Sequence, residues 1–269
     1  MLTLRKPAVA GQFYSGTSSA LLKQVAGYVN ETQEKEQVKA IISPHAGLMY
    51  SGSVAGSVYS RIAMPDTFIL IGPNHTGLGK HVSMMTSGAW EIPTGLVTID
   101  TELAERIFTL SSEFSKDDEA HYYEHSLEVQ LPFIRYFSEN VKIVPITMFT
   151  TSLKDCQRVG ESLAKAVSQT PYPVVIAASS DMSHYVSDTV AREKDKKAIE
   201  RILSLDPEGL FNDVRQYGIS MCGYGPSTAM LYAAKALGAT HAELVKYMTS
   251  GDVSGDYSHV VGYAGIIVK

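Results

Sequence analysis

The chain has 269 residues, 45% hydrophobic and 19% charged, which is the composition of a globular protein and excludes an intrinsically disordered one. Its 23 Lys and Arg residues are outnumbered by 28 Asp and Glu, and the net charge of −5 gives no overall positive field to hold nucleic acid or an anionic membrane. The apolar runs fall far short of the roughly 20 residues that cross a bilayer, and residues 1–10 lack the apolar stretch of a signal peptide.

Apolar runs rich in β-branched residues alternate with segments of helical periodicity along the chain. In chain order we predict a strand at 38–43, a helix at 51–62, a strand at 67–71, helices at 101–110 and 126–137, a strand at 141–148, a helix at 153–167, a strand at 173–179, helices at 188–203 and 227–237, and strands at 242–249 and 260–268. Asp100, Ser152 and Ser187 are the expected N-caps of the helices that follow them.

This alternation predicts an α/β fold with three layers, α/β/α, around a central sheet that is mostly parallel or mixed. Parallel neighbours need helical crossovers, and strands covered on both faces lose their polar side. The chain shows no internal repeat and no long linker, so we expect a single domain, residues 1–269. Ligands of such sheets bind beyond the carboxyl ends of the strands, which directs attention to the residues just after each strand.

Three predicted strands end in a histidine set among small or turn-forming residues. The runs are residues 40–47 with His45, residues 69–77 with His75, and residues 177–184 with His184. One such histidine would most simply be a turn residue bonded to nearby backbone, but three at one edge of a sheet favour a shared pocket. Imidazole suits zinc, copper and iron, and Asp181, three residues before His184, is placed to orient a ligand or to exchange protons.

Cys222 lies in a glycine-rich turn that leads into a predicted helix. A thiol near a helix N-terminus or a metal is acidified, which would make it a nucleophile or a metal ligand, whereas a buried cysteine acts as a small apolar residue. The segment itself leaves these alternatives balanced. Cys156 has the setting of an ordinary helix residue, and a chain with only these two cysteines fits a reducing compartment, so we expect a cytoplasmic protein.

The segment from Glu124 to Phe133 combines polar groups with core-forming residues. His125 and Glu128 could line the floor of the pocket, although a helix N-terminus stabilised by Ser126 would give the same pattern. We favour a supporting role over direct metal binding for both. A phosphate-binding loop, a dinucleotide-binding glycine motif and a serine-hydrolase elbow are all missing, so nucleotide-dependent and serine chemistry are not expected.

Taken together, these motifs resemble the Memo family along nearly the whole chain. The resemblance rests on Arg5 to Tyr14, Pro44 to Gly47 with Tyr50 to Gly52, Gly72 to His75, Glu124 to Phe133, Ser180 to Tyr185, and Cys222 with Gly223. The family is similar in fold to the class III extradiol dioxygenases, non-haem iron enzymes in which two histidines and a glutamate bind Fe(II) and a further histidine acts as acid/base.

The resemblance implies His45 and His75 as metal ligands and His184 as the acid/base, with Cys222 at the position of the glutamate. Thiolate is softer and more easily oxidised than carboxylate, which favours copper or an altered iron chemistry over ring cleavage. We expect a divalent metal, iron first and copper or zinc as alternatives. We assign His184 and Asp181 to catalysis and His125 and Tyr50 to substrate contact.

Two classes of function follow from these assignments. The first is metal-dependent redox chemistry, dioxygenase-like, on a small molecule. The second is a non-catalytic binding module that uses the same pocket for a peptide or metabolite, since members of the Memo family are described as effectors that bind phosphotyrosine peptides. A structural metal site is the weakest alternative, because structural zinc takes four protein ligands and only three can be defended here. The expected partner is thus a small molecule or a peptide, with no nucleic acid and no membrane.

Overall fold

The apolar runs of the sequence form the strands of a central sheet in the computed structural model, which describes residues 3–149 and 152–269. The strands are β1 Leu4–Arg5, β2 Ala40–Ser43, β3 Thr67–Pro73, β4 Val82–Met84, β5 Ala89–Ile92, β6 Gly95–Thr98, β7 Ser115–Lys116, β8 Lys142–Met148, β9 Val174–Ser179, β10 His184–Val186, β11 Ala242–Thr249 and β12 Val260–Val268. The helices are α1 Ser18–Ala26, α2 Leu48–Arg61, α3 Thr101–Leu110, α4 Leu131–Phe137, α5 Leu153–Ser168, α6 Asp188–Leu203, α7 Pro207–Gln216, α8 Tyr224–Ala236 and α9 Gly251–Ser254.

The main sheet is mixed, with a parallel centre and antiparallel flanks. Its strands lie in the order β10-β12-β2-β9-β3-β8-β4-β7, with β11 paired to β12. Strands β2, β9, β3 and β8 are parallel neighbours, whereas β12 runs antiparallel to β2 and β4 antiparallel to β8. A small second sheet holds β1, β5 and β6. The predicted central sheet, mostly parallel or mixed, is therefore present.

Helices cover both faces of the main sheet, as predicted. Successive strand residues point to opposite faces, so Ile41 belongs to the apolar cluster that includes residues of α1, α2 and α4, while Ile42 belongs to the cluster that includes residues of α3, α5, α6, α7 and α8. Apart from the first residues of β9 and β8, the central strands are buried along their length, which explains why these runs are apolar without alternation. The result is the three-layer α/β/α architecture. No helix among the described residues is long and apolar enough to cross a membrane.

The helix predicted at 126–137 differs most from the structure. Residues Glu128–Gln130 form a 3₁₀ turn, and the α-helix begins only at Leu131, with Pro132 in its first turn, where a missing N–H is tolerated. The backbone N–H of Ser126 is bound by Glu124 and its hydroxyl by the Pro73 carbonyl, so this stretch is held by the loops around it. Helix α1, helix α7 and the short strands β4 to β7 were not predicted.

Two of the three predicted N-caps make the expected side-chain hydrogen bond. The Asp100 carboxylate accepts from Leu103 N at the start of α3, and the Ser152 hydroxyl accepts from Asp155 N at the start of α5. Ser187 occupies the N-cap position of α6 without such a bond.

Candidate metal centre

Three adjacent parallel strands end in the residues that carry chemistry. His45 stands two positions after β2, Asp181 two positions after β9, and His75 two positions after β3. Since β9 lies between β2 and β3 and the strand ends are in register, all three residues emerge at one edge of the sheet. This is the carboxyl edge, where the sequence predicted a site.

His45 is almost fully buried, with 2% of its surface exposed. Its Nδ1 lies 2.9 Å from the Ser179 hydroxyl, which donates its single hydrogen to the Ser126 carbonyl and accepts from the Gln130 amide. Because Ser179 has no second hydrogen to donate, His45 must carry its proton on Nδ1. Its Nε2 is then an unprotonated acceptor.

His75 is held by one carboxylate at two points. Its backbone N–H donates to Glu124 Oε2 at 2.5 Å and its Nδ1 lies 2.9 Å from Glu124 Oε1. A carboxylate only accepts, so Nδ1 carries a proton and Nε2 faces away from Glu124. Burial opposes the charged form of His75, but the hydrogen bond and negative charge of Glu124 together raise its pKa. Burial likewise opposes ionisation of Glu124, yet hydrogen bonds from His75 and Ser126 lower its pKa to about 2.

His125 brings a third imidazole to the same place. Its ring stacks on His75 with centroids 4.8 Å apart and meets the His45 ring edge-on at 5.5 Å, while Phe13 packs edge-on against it. One ligand atom from each of the three histidines lies within 4.8 Å of the other two, the one such group of three among residues 3–149 and 152–269. We had expected a supporting role for His125, and the structure instead puts its ring beside the two predicted ligands.

Burial lowers the pKa of His45 well below the usual range, and the neighbouring imidazoles of His125 and His75 lower it further. Burial also lowers the pKa of His125, against the opposing charge of Glu124. Crowded imidazoles disfavour one another's protonation. At neutral pH His45 and His125 are accordingly neutral, which is the form of imidazole that binds a metal.

Cys222 lies against His45. Its Sγ is 3.3 Å from His45 Nε2 and accepts from Asp181 N at 3.4 Å. Part of the side chain reaches solvent, but the dense surroundings of the sulfur and the negative charge of Asp181 raise the pKa of the thiol. Gly223 makes this approach possible, because a Cβ there would stand 2.4 Å from the Ser179 carbonyl oxygen.

Asp181 lies in the loop between β9 and β10, and His184 is the first residue of β10. The Asp181 carboxylate accepts from the backbone N–H of His45 at 2.8 Å, and burial raises its pKa against that bond. His184 is fixed twice by Ser220, whose hydroxyl accepts from His184 N at 2.7 Å and whose carbonyl lies 2.8 Å from Nδ1. A carbonyl only accepts, so Nδ1 of His184 carries a proton and Nε2 is the acceptor.

Tyr50 stands in the first turn of α2, five residues after His45, and is half-buried. Burial raises the pKa of Tyr263. The charges of Asp181, Tyr50 and Tyr185 raise it further. The site residues predicted from the sequence lie on loops, in the first turn of a helix or, for His184, at the first residue of β10: His45, His75, Cys222, Asp181, His184, His125 and Tyr50.

Sequence reasoning missed the residues that orient these groups. Ser179 and Gln130 hold His45, Ser220 holds His184, and Glu124 holds His75. Glu124 could have been suspected from the sequence, because it is an acidic residue directly before His125. The serines could not, because they are near their histidines in space and not in sequence. Beneath the site, Glu128 is tied to the N-terminal segment, accepting from Arg5 at 2.6 Å and Tyr14 at 2.6 Å.

A cavity of about 430 Å³ lies at the opposite edge of the sheet, around the first residues of β3 and β8. It is lined by Asp66, Asp100, Lys142 and Tyr172 among others, and by no histidine or cysteine. Its Asp100 carboxylate is already bound to Thr67 and Tyr172, and the metal-binding group of three found among the described residues lies elsewhere. The chemistry of the chain is therefore concentrated at the carboxyl edge.

Comparison with known proteins gives a consistent match along the chain. The family model described as "Memo-like protein" matches residues 5–267. A MEMO1 family protein of Methanothermobacter thermautotrophicus is 42% identical over 97% of this chain and 99% of its own length, and one of Aquifex aeolicus is 45% identical over 99% of both. Among solved structures, the uncharacterised protein JW3007 of Escherichia coli K12 has the same fold, with a TM-score of 0.52 at 15% identity, covering 86% of this chain and all of its own.

Proposed function

This chain belongs to the Memo family, and on that premise we propose that its histidine cluster binds a divalent metal, iron first, for redox chemistry on a small molecule. The observation that carries the proposal is the hydrogen bonding of the imidazoles. Ser179 and Glu124 each accept a hydrogen bond from Nδ1 of a histidine, which leaves Nε2 of His45, and Nε2 of His75 in its neutral form, free to coordinate a metal within one cluster. Metal-binding histidines are oriented in this way by partners on their other nitrogen.

The donor set fits a transition metal better than calcium or magnesium, which prefer oxygen ligands. Imidazole binds iron, copper and zinc, and a third ligand is available on either side, His125 beside His75 or the Cys222 thiolate beside His45. The two give different sites, since a thiolate adds charge and softness that imidazole lacks. A bound metal with open positions would act as a Lewis acid and redox centre for substrate and oxygen.

The chain's own groups supply proton transfer and positioning. His184, held by Ser220 with Nε2 as its acceptor, is placed to take a proton from a substrate hydroxyl and return it later. Asp181, three residues before His184, accepts a hydrogen bond from the backbone N–H of His45. This bond holds His184, the proposed acid/base, at a fixed distance from the histidine cluster. His125 and Tyr50 border the same edge and are assigned to substrate contact. A small phenolic or other hydroxylated molecule fits these groups.

The first experiment is metal binding. The protein is purified anaerobically, its metal content is measured, and the affinities for Fe(II), Cu and Zn are compared among His45→Ala, His75→Ala, His125→Ala and Cys222→Ser. Loss of either His45 or His75 should lower affinity by at least 10-fold. The exposed His259→Ala is the matched control and should bind as the parent does. Unchanged affinity in all four variants would refute the metal site.

The same variants identify the third ligand. If it is the Cys222 thiolate, the thiol should resist alkylation in the metal-loaded protein and react after chelation, and Cys222→Ser should weaken binding. If it is His125, the Cys222 thiol should be alkylated equally with and without metal, and His125→Ala should weaken metal binding.

Turnover is tested by oxygen consumption with a panel of catechols and other phenols. His184→Ala should keep its metal and lose roughly 10²- to 10⁴-fold in rate, as expected for removal of a general acid/base. Loss of the metal in this variant would make His184 a ligand. A metal-loaded parent that consumes no oxygen with any of these compounds would favour the non-catalytic binding module.

A further inference from the structure

Tyr185 has a backbone conformation that its side chain disfavours. Its φ is +57°, in the left-handed region where a non-glycine residue pays a steric cost, and only Leu205 shares this feature among the non-glycine residues that the structure describes. Three-quarters of the tyrosine side chain is exposed to solvent, with a fractional exposure of 75%. Burial of the ring therefore does not offset the strain at this position.

The positive φ of Leu205 has a structural explanation that Tyr185 lacks. Leu205 follows the end of α6, where Leu205 N bonds to Ile202 O and Asp206 N to Arg201 O in the pattern that closes many helices. Its side chain is also buried in the core. Tyr185 stands inside a strand, far from any helix C-terminus, so neither argument applies to it.

The strain at Tyr185 belongs to a β-bulge in β10. His184 pairs with Val261 and Val186 with Val260, so one step along β12 is matched by two along β10 and Tyr185 is the inserted residue. Bulges redirect side chains and occur often beside active sites. Here the bulge lies directly next to His184, whose backbone and ring are both fixed by Ser220.

The bulge brings two consecutive side chains together. In a regular strand, neighbouring residues point to opposite faces, yet the rings of His184 and Tyr185 lie with centroids 5.8 Å apart. A strained, exposed aromatic ring is thus held beside the proposed acid/base.

We infer that Tyr185 is a specificity-determining residue of the histidine site, whose ring packs on the face of an aromatic, hydroxyl-bearing substrate while His184 meets the hydroxyl. The inference rests on the proposed function and adds the residue that selects for an aromatic ring in the substrate. Aromatic stacking accounts for an exposed ring at a position where glycine would be more stable. Strain kept in this way is maintained for binding rather than for folding.

The test separates binding from stability with three variants. Tyr185→Gly removes both ring and strain, Tyr185→Phe keeps the ring, and Leu205→Gly removes a side chain from the same backbone conformation away from the site. Each protein is loaded anaerobically with Fe(II), titrated with 4-nitrocatechol by absorbance, and melted in parallel. Fe(II) affinity is measured for all of them.

Tyr185→Gly should bind 4-nitrocatechol about 10-fold more weakly at unchanged Fe(II) affinity, because it loses one stacking contact. Its Tm should be unchanged or about 2 °C higher. Tyr185→Phe should bind as the parent does, and Leu205→Gly should bind normally while melting earlier. Equal 4-nitrocatechol affinity in Tyr185→Gly, or a lower Tm in that variant, would overturn the inference.

The parent protein distinguishes this inference from the proposed function. Parent protein that holds Fe(II) but does not bind 4-nitrocatechol would overturn the aromatic substrate class and leave the metal site standing. Parent protein that holds no Fe(II), copper or zinc would overturn the proposed function and this inference with it.

Discussion

At the scale of single residues, the site depends on partners that fix which nitrogen of each histidine carries the proton. Ser179, Glu124 and Ser220 each bind an Nδ1, and their own hydrogen-bonding capacity leaves one solution for the tautomer. In the neutral imidazoles this leaves the lone pair of Nε2 free to bind a metal. A histidine in a loose turn would sample both tautomers and lose part of its affinity for a metal.

Glu124 provides a direct test of this arrangement. In Glu124→Gln the side chain keeps its shape but loses the charge that raises the pKa of His75, and its amide can present a donor to Nδ1. We expect metal affinity to fall by about 10- to 100-fold. Isothermal titration with Fe(II) or Zn(II) measures the change, and the exposed Glu119→Gln is the control. Equal affinities in Glu124→Gln and the parent would show that the carboxylate does not orient the ligand.

His121 should make the fold sensitive to acid. It is fully buried, and neither ring nitrogen makes a well-aligned hydrogen bond within the described residues, although the Ser83 backbone offers a weak polar contact. Burial, together with the charge of Arg5, lowers its pKa to about 4. The unfolded chain binds this proton near pH 6.5, so the stability contributed by neutral His121 is complete above that pH and is lost as the pH falls towards 4.

His121→Phe removes this titration and keeps a ring beside Trp90, which lies 5.7 Å away between centroids. Between pH 7 and pH 5 the parent should lose about 2 kcal/mol more unfolding free energy than the variant. Urea denaturation at the two pH values measures the difference. Parallel pH dependences would mean that His121 is protonated equally in the folded and unfolded states.

At the scale of elements, two serines occupy the same N-cap position in the sequence, but only one makes the capping hydrogen bond in the structure. Ser152 and Ser187 both precede helices of 16 residues, but only the Ser152 hydroxyl accepts a backbone N–H, at 3.1 Å from Asp155 N. Ser152→Ala should therefore cost about 1 kcal/mol, and Ser187→Ala should stay within about 0.5 kcal/mol of the parent. Urea denaturation of the matched pair tests this. Equal losses would show that both serines cap their helices in solution.

Close packing between elements limits which residues the helices can carry. A Cβ on Gly160 of α5 would stand 2.3 Å from the Ala229 carbonyl of α8, so the two helices approach each other only because this residue is glycine. The glycine before α8, Gly223, plays the same part towards β9 and so places Cys222 against His45. Helix packing and site geometry are linked through α8.

At the scale of the whole molecule, contacts distant in sequence tie the two ends of the chain to its middle. Arg5 donates to the Glu128 carboxylate and to the Glu124 carbonyl, while the C-terminal strand β12 pairs with β2, β10 and β11. We therefore predict that residues 1–269 unfold as one unit. Differential scanning calorimetry should give a single transition whose calorimetric and van't Hoff enthalpies agree. Two resolved transitions would indicate separate domains.

Much of the architecture could be predicted from the sequence, because local physical chemistry specifies it. Doubly covered strands must be apolar throughout, and the bounds predicted for β11, β12, α3 and α6 agree with the structure. Short strands such as β4 and β7 were missed, since runs of two or three residues carry no periodicity. The 3₁₀ turn at Glu128–Gln130 was taken for helix because the loops that hold it are remote in sequence.

The sequence by itself determined which residues end the three strands, and with them the histidines and Asp181 at one edge of the sheet. Only the tertiary structure decided how those groups are used. Whether His125 or Cys222 stands beside a given imidazole, and which serine accepts a hydrogen bond from its Nδ1, depends on residues 36 to 177 positions apart. Hydrogen bonds formed across such distances leave no spacing pattern in the chain, because the strand order of the sheet, rather than the order of the sequence, brings their partners together.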